Sequence, residues 1–531
     1  MARPQAPTST TEEAGFALHT ERLGPLPLIN HFIERIGLHQ TLSRFVPADR
    51  RCTITHASAL GVLLRSIIVE REPIYRQHET VHGFADGMFG ISAQEMEHLS
   101  DDRLGRALDR LFDADRTALL TELVLAVGQR FGVRFDEFHN DSTSVSFCGS
   151  YRGARGRQIR ARTGPAITYG HSKAHRPDLK QLLFILTMSA DGMPAVHKLR
   201  EDFGIERMVM VGDRGMVSQK AIAELRETDG VGWITALKSV SIRALVEQGQ
   251  LQMGLFDQRN LLELSSPDYP GERLVACRND ALAKLRAHKR EDLLVATEQS
   301  LQAIQVRVEA GKLKGQDAIG VRVGRIINRY KVAKHFELHI TDASLAWARK
   351  ADSIASEAAL DGLYIIRTCV PAEQMDAPQC VRSYKALANV ERAFRSIKTI
   401  DLKVRPIHHR LADRVRAHIF LCMLAYYVEW HMREAWRELT FADTELQDKA
   451  TRDPVAPAKR SGKALAKAKS HALEDSTPVH SFSTLMADLA AVVRNTCTTP
   501  GARADAPTFE ITTTANANQL RAFALIQAIK A

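Results

Sequence analysis

With 531 residues, 45% apolar and 25% charged, the chain has the composition of an ordinary soluble protein and length enough for about three or four domains. Its 72 Lys and Arg outnumber 62 Asp and Glu for a net charge of +10, a balance that suits a polyanionic partner such as nucleic acid without requiring one. Seven scattered cysteines with no Cys-x-x-Cys pair argue against a disulfide framework or a zinc module, and for a reducing compartment. The amino terminus lacks the apolar core of a signal peptide, and the longest apolar run, Ile419 to Val428, is too short to span a bilayer. A soluble, cytoplasmic protein with no membrane partner is expected.

Residues 1–20 read as a disordered tail, and residues 21–130 as an all-α domain. Ile29, Phe32, Ile33 and Ile36 recur at helical spacing, as do Leu60, Leu63, Leu64 and Ile67, and then Leu104, Leu108 and Leu111. This domain reads equally as a DNA-binding head and as a plain helical interaction domain. At Val133 the period changes to two, and Phe135, His139, Asp141, Thr143, Val145 and Phe147 alternate with polar residues as in a strand. Asn140-Asp141-Ser142 is also turn chemistry, but the alternation on both sides favours a strand with an acid on its apolar face.

A glycine-containing loop with Arg152, Arg155, Arg157, Arg160 and Arg162 follows, suited to phosphate contacts or simply solvated. Ile167 to Ser172 and Leu182 to Ser189 are strand-like. Met208 to Gly212 reads as a buried strand ending on Asp213, with a helix expected from Gln219 to Glu227 and a strand from Gly232 to Lys238. Strand-Asp-turn-helix puts Asp213 at the carboxyl end of a strand, where α/β sheets hold their chemistry, although a turn or capping aspartate looks the same.

Residues 240–360 read as an inserted α+β domain with a long amphipathic helix from Asp280 to Val308. The sheet domain, begun at 131–239, resumes at 361–445 with a strand from Tyr364 to Thr368. Next comes one helix over Tyr384 to Lys398, whose heptad spacing puts Tyr384, Glu391 and Lys398 on one face at about 100° per residue. Taken alone, Glu391 is half of an exposed ion pair with Arg395 one turn on. A long helix follows from Asp413 to Leu439, then a basic linker, 446–480, with Lys459, Arg460, Lys463, Lys467 and Lys469, and a small segment, 481–531.

Three acids on separate elements, Asp141, Asp213 and Glu391, can hold two Mg²⁺ ions about 3.5–4 Å apart for phosphoryl transfer. Their setting resembles that of bacterial insertion-sequence transposases of the DDE class, in the subgroup marked by Tyr-x₂-Arg-x₃-Glu-x₆-Lys. The resemblance runs through Asn140-Asp141-Ser-Thr, Gly170-His-Ser-Lys, Val211-Gly-Asp213-Arg-Gly-Met, Asp361-Gly-Leu-Tyr, Tyr384 to Lys398, and Arg405-Pro-Ile-His-His. It implies an α/β fold: an RNase H-like mixed-sheet core interrupted by an insertion domain and preceded by the all-α domain. It implies Asp141, Asp213 and Glu391 as catalytic metal ligands for two Mg²⁺ or Mn²⁺ ions. DNA would be contacted by Tyr384, Lys398 and Arg395, with Arg155, Arg157 and Arg160 on the basic loop. The partners implied are double-stranded transposon ends and target DNA, bound by a homodimer or higher multimer.

Two departures stand out. Leu387 occupies the signature's arginine position, which Arg395 would have to replace. The connection 190–207 before Asp213 leaves little room for the crossover helix that parallel neighbouring strands need, which implies an internal deletion and a defective copy. An RNase H-like nuclease and an inactive DNA-binding repressor are the rival readings.

Overall fold

The computed structural model describes residues 17–49, 52–131, 137–170, 176–189, 194–195, 207–402, 404, 407–445, 453–457, 459–498 and 508–527. The chain divides into two compact units, one made of 1–208, 388–450 and 460–531 and the other of 209–387 and 451–459.

The first unit is organised around the helix Ala412–Ala435, whose middle, from Leu424 to Glu429, is buried on all sides because helices Leu26–Arg35, His56–Val69, Asp101–Asp113 and Ala517–Gln527 pack around the helix. Trp436, wholly buried just past its end, donates its indole N–H to the Ala522 carbonyl at 3.0 Å. The amino-terminal stripes are all buried as their spacing predicts. Their helices start at side-chain caps: Thr55 accepts the Ser58 N–H at 3.0 Å, and Ser100 accepts that of Arg103 at 3.2 Å.

Residues 17–20 are not part of a loose tail. They belong to the strand Ala17–Arg22, which pairs antiparallel with Val493–Thr498, itself paired with Thr508–Thr512. Nothing local announces a strand whose partner lies at the other end of the chain.

In the same unit, Glu137–Phe147 pairs antiparallel with Lys180–Ser189, and Asp141 stands opposite Leu186 and Thr143 opposite Phe184. Val133 and Phe135 lie outside the described residues. Pro194–Ala195 pairs on the far side of Lys180–Ser189. The strand expected over Ile167 to Ser172 reduces, within the described residues, to an isolated bridge between Thr168 and Gln181. Apart from Pro194, Ala195 and Arg207, the connection 190–207 lies outside the described residues.

The second unit holds strands in the order Met208–Gly212, Val231–Ala236, Leu363–Thr368, Arg273–Arg278 and Leu261–Leu264. The last two fall within 240–360, the residues expected to form the insertion, but Arg273–Arg278 pairs antiparallel with Leu363–Thr368 and extends the sheet. What stands apart from the sheet is narrower: the helix Asp280–Glu309, the helix Gln316–Ile327 and a hairpin of Phe336–Ile340 with Leu345–Arg349. These share their own core of Leu301, Ile304, Ile319, Val323, Phe336 and Leu345. The long helix is anchored beside the sheet where Arg290 bonds both oxygens of Asp361, at 3.1 and 2.6 Å. Gly362 takes a φ of +76°, and a Cβ there would lie 2.4 Å from the Asn279 carbonyl oxygen, so only glycine makes this turn.

Two further expectations change. The single helix over Tyr384 to Lys398 is two helices, Ala377–Lys385 and Leu387–Arg395, followed by a π-helical turn, Ser396–Ile400. No residue in this stretch forbids a continuous helix; the chain passes from one unit to the other between Leu387 and Ala388, and each side is held by its own core. The basic linker contains a helix, Gly462–Ser470, capped by Ser461. Lys467 on that helix is buried, and its ammonium donates to the carbonyls of Arg437, Glu438, Thr440 and Ala442 at 2.8–3.4 Å. Charge count alone could not distinguish it from its solvated neighbours. Lys467→Met should leave those carbonyls unsatisfied and cost about 1–3 kcal/mol in denaturant unfolding; an unchanged midpoint would show that water replaces the ammonium.

Candidate active site

Asp141 sits in mid-strand, half-buried, on the face that carries buried Thr143, Val145 and Phe147. Its Oδ1 accepts the backbone N–H of Ser142 at 2.7 Å, which fixes the carboxylate's orientation. The same face is met by the segment carrying the glutamate. Lys398 donates from Nζ to Thr143 Oγ1 at 2.7 Å, two residues along from Asp141. Phe394 meets Phe184 edge-on, with ring centroids 5.6 Å apart. Apolar packing therefore holds the Glu391 helix against the strand that neighbours Asp141's own.

On that helix Val390, Ala393 and Phe394 face inward, and Glu391 faces out. Glu391 is 63% exposed and lies 3.9 Å from Arg395, itself 70% exposed. An exposed pair of this kind is worth about 0.3–0.5 kcal/mol, so it holds the glutamate only weakly against a competing cation.

Asp213 follows its strand and closes a turn: its Oδ1 accepts the N–H groups of Gly215 and Met216, both at 2.8 Å. The side chain is a turn aspartate and an exposed carboxylate at once. Ser218, not Asp213, caps the helix Gln219–Arg226. Half-buried Tyr384 shares the neighbourhood, and its phenol is pushed above the usual range by burial and then by the negative charge of Asp213, against the pull of Arg214. It stays protonated, a hydrogen-bond donor beside a carboxylate.

Asp141, Glu391, Arg395 and Lys398 thus belong to one unit, and Asp213 and Tyr384 to the other. All three acids offer hard oxygen donors, the type Mg²⁺ or Mn²⁺ takes. Among the described residues, no group of three or more His, Cys, Asp or Glu side chains is gathered that could hold a metal ion. The three acids match a metal in their donor chemistry.

On the basic loop, Arg155 and Arg157 are exposed. Arg160 spends its charge within the protein, with Nε on both oxygens of Asp113 at 2.8 and 3.1 Å and Nη2 on Asp413 at 2.9 Å. These two carboxylates compete with a phosphate for Arg160, whose side chain is 45% exposed.

Sequence reasoning passed over Glu429, whose signal was an acid in the middle of an apolar helix. It is fully buried, and its Oε1 accepts from Ser396 Oγ at 2.5 Å and from Arg433 Nε at 2.6 Å; Arg433 also bonds Asp401. Oε2 is buried with no hydrogen-bond partner among the described residues. The network ties both ends of the π turn bearing Lys398 to the central helix; π turns often mark functional sites.

Residues 140–428, more than half of the chain, match the model of the transposase DDE domain. The chain belongs to the DDE transposase family, and its mixed α/β architecture is that of an RNase H-like transposase core. Members act on DNA and use divalent metal ions. Residues 18–125 match a domain of unknown function, DUF4277. No curated protein matches the chain. Among the described residues, no helix is long and apolar enough to cross a membrane.

Burial, with help from Asp401, pushes Glu429 up to about 7 against the pull of Arg433 and Ser396; Tyr426 also lies close. A carboxyl whose folded pKa exceeds its unfolded value of 4.5 binds its proton more tightly when folded. Its contribution is therefore full below pH 4.5 and is lost as pH rises towards 7. Thermal midpoints of Glu429→Gln should fall less steeply than those of the wild type across that window. Parallel curves would mean that Glu429 is ionised in the fold.

Proposed function

We propose that this transposase recognises the terminal inverted repeats of an insertion sequence through its helical amino-terminal domain and assembles as a homodimer or higher multimer on paired ends. It then hydrolyses the transposon-end phosphodiester to expose a 3′-hydroxyl, and that hydroxyl attacks target DNA by in-line displacement. Asp141, Asp213 and Glu391 are the residues that would hold the divalent cations, two Mg²⁺ or Mn²⁺ ions. Bound there, the metal supplies Lewis-acid stabilisation of the attacking and leaving oxygens.

The chain's own side chains do the positioning. Lys398 neutralises a phosphate beside the Asp141 face, Tyr384 donates its phenolic proton near Asp213, and Arg395 releases Glu391 to bond DNA in the place of the arginine that Leu387 replaces. Arg155 and Arg157 contact the backbone without reading bases. The subgroup is the one with the Tyr-Arg-Glu-Lys signature, and the setting is the cytoplasm, on the nucleoid.

The observation that carries this reading is the 2.7 Å bond from Lys398 to Thr143, which ties the residue expected on DNA to the strand face of the expected metal ligand. The test is a cleavage and strand-transfer assay with purified protein, Mg²⁺ or Mn²⁺, and duplexes ending in the element's repeats. Asp141→Ala, Asp213→Ala and Glu391→Ala should each abolish both reactions while binding the duplex like the wild type. Retained cleavage in any of the three would refute that residue's role. Cleavage by the wild type excludes a defective copy, whereas binding without cleavage makes the protein a DNA-binding repressor, and cleavage without joining makes it a nuclease.

A further inference from the structure

We propose a second site on this chain: a clamp for the DNA phosphate backbone built from Arg116, Arg162 and Arg416, none of which has a role in the proposed function. It rests on the family's action on DNA.

The site is assembled by backbone carbonyls. The helix Asp101–Asp113 ends with carbonyls that have no partner within the helix. Arg116 donates to two of them, Leu111 at 3.3 Å and Phe112. Arg162 donates from Nε to the next, Asp113, at 3.1 Å. Arg416 comes from the central helix and donates to the carbonyl of Thr163, the neighbour of Arg162. Three guanidiniums from three elements are thereby collected, and all three line one open cavity of about 1160 Å³.

Their charge is answered only in part, by Asp113 and Asp115 acting on Arg116 without pairing with it. Among the described residues none of the three forms an ion pair with a carboxylate, and the nearby Asp113 and Asp413 are taken by Arg160. Asp115 also lines the cavity, but its Oδ1 caps the following helix through the Ala118 N–H at 3.1 Å. Each guanidinium has five N–H donors, most of them unused by these carbonyls. Burial, and then the charges of Arg416 and Arg162, lower the Arg116 pKa to about 10 against the pull of Asp113 and Asp115, so the cluster is held together against repulsion. Favourable placement at a helix carboxyl end accounts for Arg116 and Arg162, but Arg416 bonds the Thr163 carbonyl, at no helix end, and has no such reason to be there.

The remaining walls indicate a strand of nucleic acid, not a free anion. The cavity far exceeds one phosphate, and its floor includes Leu183 and Ile185, apolar yet mostly exposed, with Tyr169 and Phe420. Apolar surface beside arginines suits the deoxyriboses of a duplex strand whose phosphates lie against the cationic wall.

The test is the salt dependence of duplex binding by the full chain, read by fluorescence anisotropy with a repeat-end duplex and an unrelated duplex. Arg162→Gln and Arg416→Gln, both at exposed positions, should weaken binding to the two duplexes alike. Each should reduce the slope of log K against log salt by about 0.9, one lost phosphate contact. Arg162→Lys, which keeps the charge, should keep the slope. Unchanged slopes in both glutamine variants, with wild-type binding intact, would overturn the clamp alone. A wild type that binds neither duplex would overturn the clamp together with the DNA-binding reading beneath it.

Discussion

The middle of the helix Ala412–Ala435 is shielded from water on every side, and this constrains the unit built around it. Segments from both ends of the chain supply the wrapping. Burial of Glu429 in mid-helix then imposes a second demand, because a desolvated carboxyl needs partners or its proton. Ser396 and Arg433 meet that demand and fix the π turn, and with it the reach of Lys398 to Thr143. The geometry around Asp141 is in this sense a consequence of how a hydrophobic helix accommodates one ionisable group.

Arginine carries three different roles within a few residues of the basic loop. Arg160 is neutralised by Asp113 and Asp413. Arg155 and Arg157 project into solvent, and Arg162 joins two distant arginines over backbone carbonyls that cannot cancel its charge. Carboxylate partners turn an arginine into a structural tie, whereas carbonyl partners orient it and leave its field available for an outside anion. The +10 excess of the chain therefore says less than the location of its unanswered charges.

Much of the core was legible because its signals are local. Period-two alternation marked Glu137–Phe147, an apolar run closed by Asp-Arg-Gly marked Met208–Gly212 and the turn after it, and amphipathic spacing marked Asp280–Glu309 within a residue or two. The DDE family was legible for the same reason, since its motifs are short and ordered along the chain. The break near Ala386, the buried Lys467 and the strand Ala17–Arg22 were not, since each depends on a partner far away in sequence. Strands Leu261–Leu264 and Arg273–Arg278 looked like part of an insertion because nothing in a strand's own residues says which sheet it will join.

By itself the sequence determined most helices and strands of the core and set Asp141 on an apolar strand face, because side-chain periodicity and turn chemistry act over a few residues. Tertiary structure decided that Arg160 is neutralised and Arg162 is not, that Lys398 meets Thr143, and that the Glu391 helix begins anew at Leu387. Those outcomes follow from desolvation and charge pairing, whose strength depends on what else is brought within a few ångströms, and that is known only once the chain has folded.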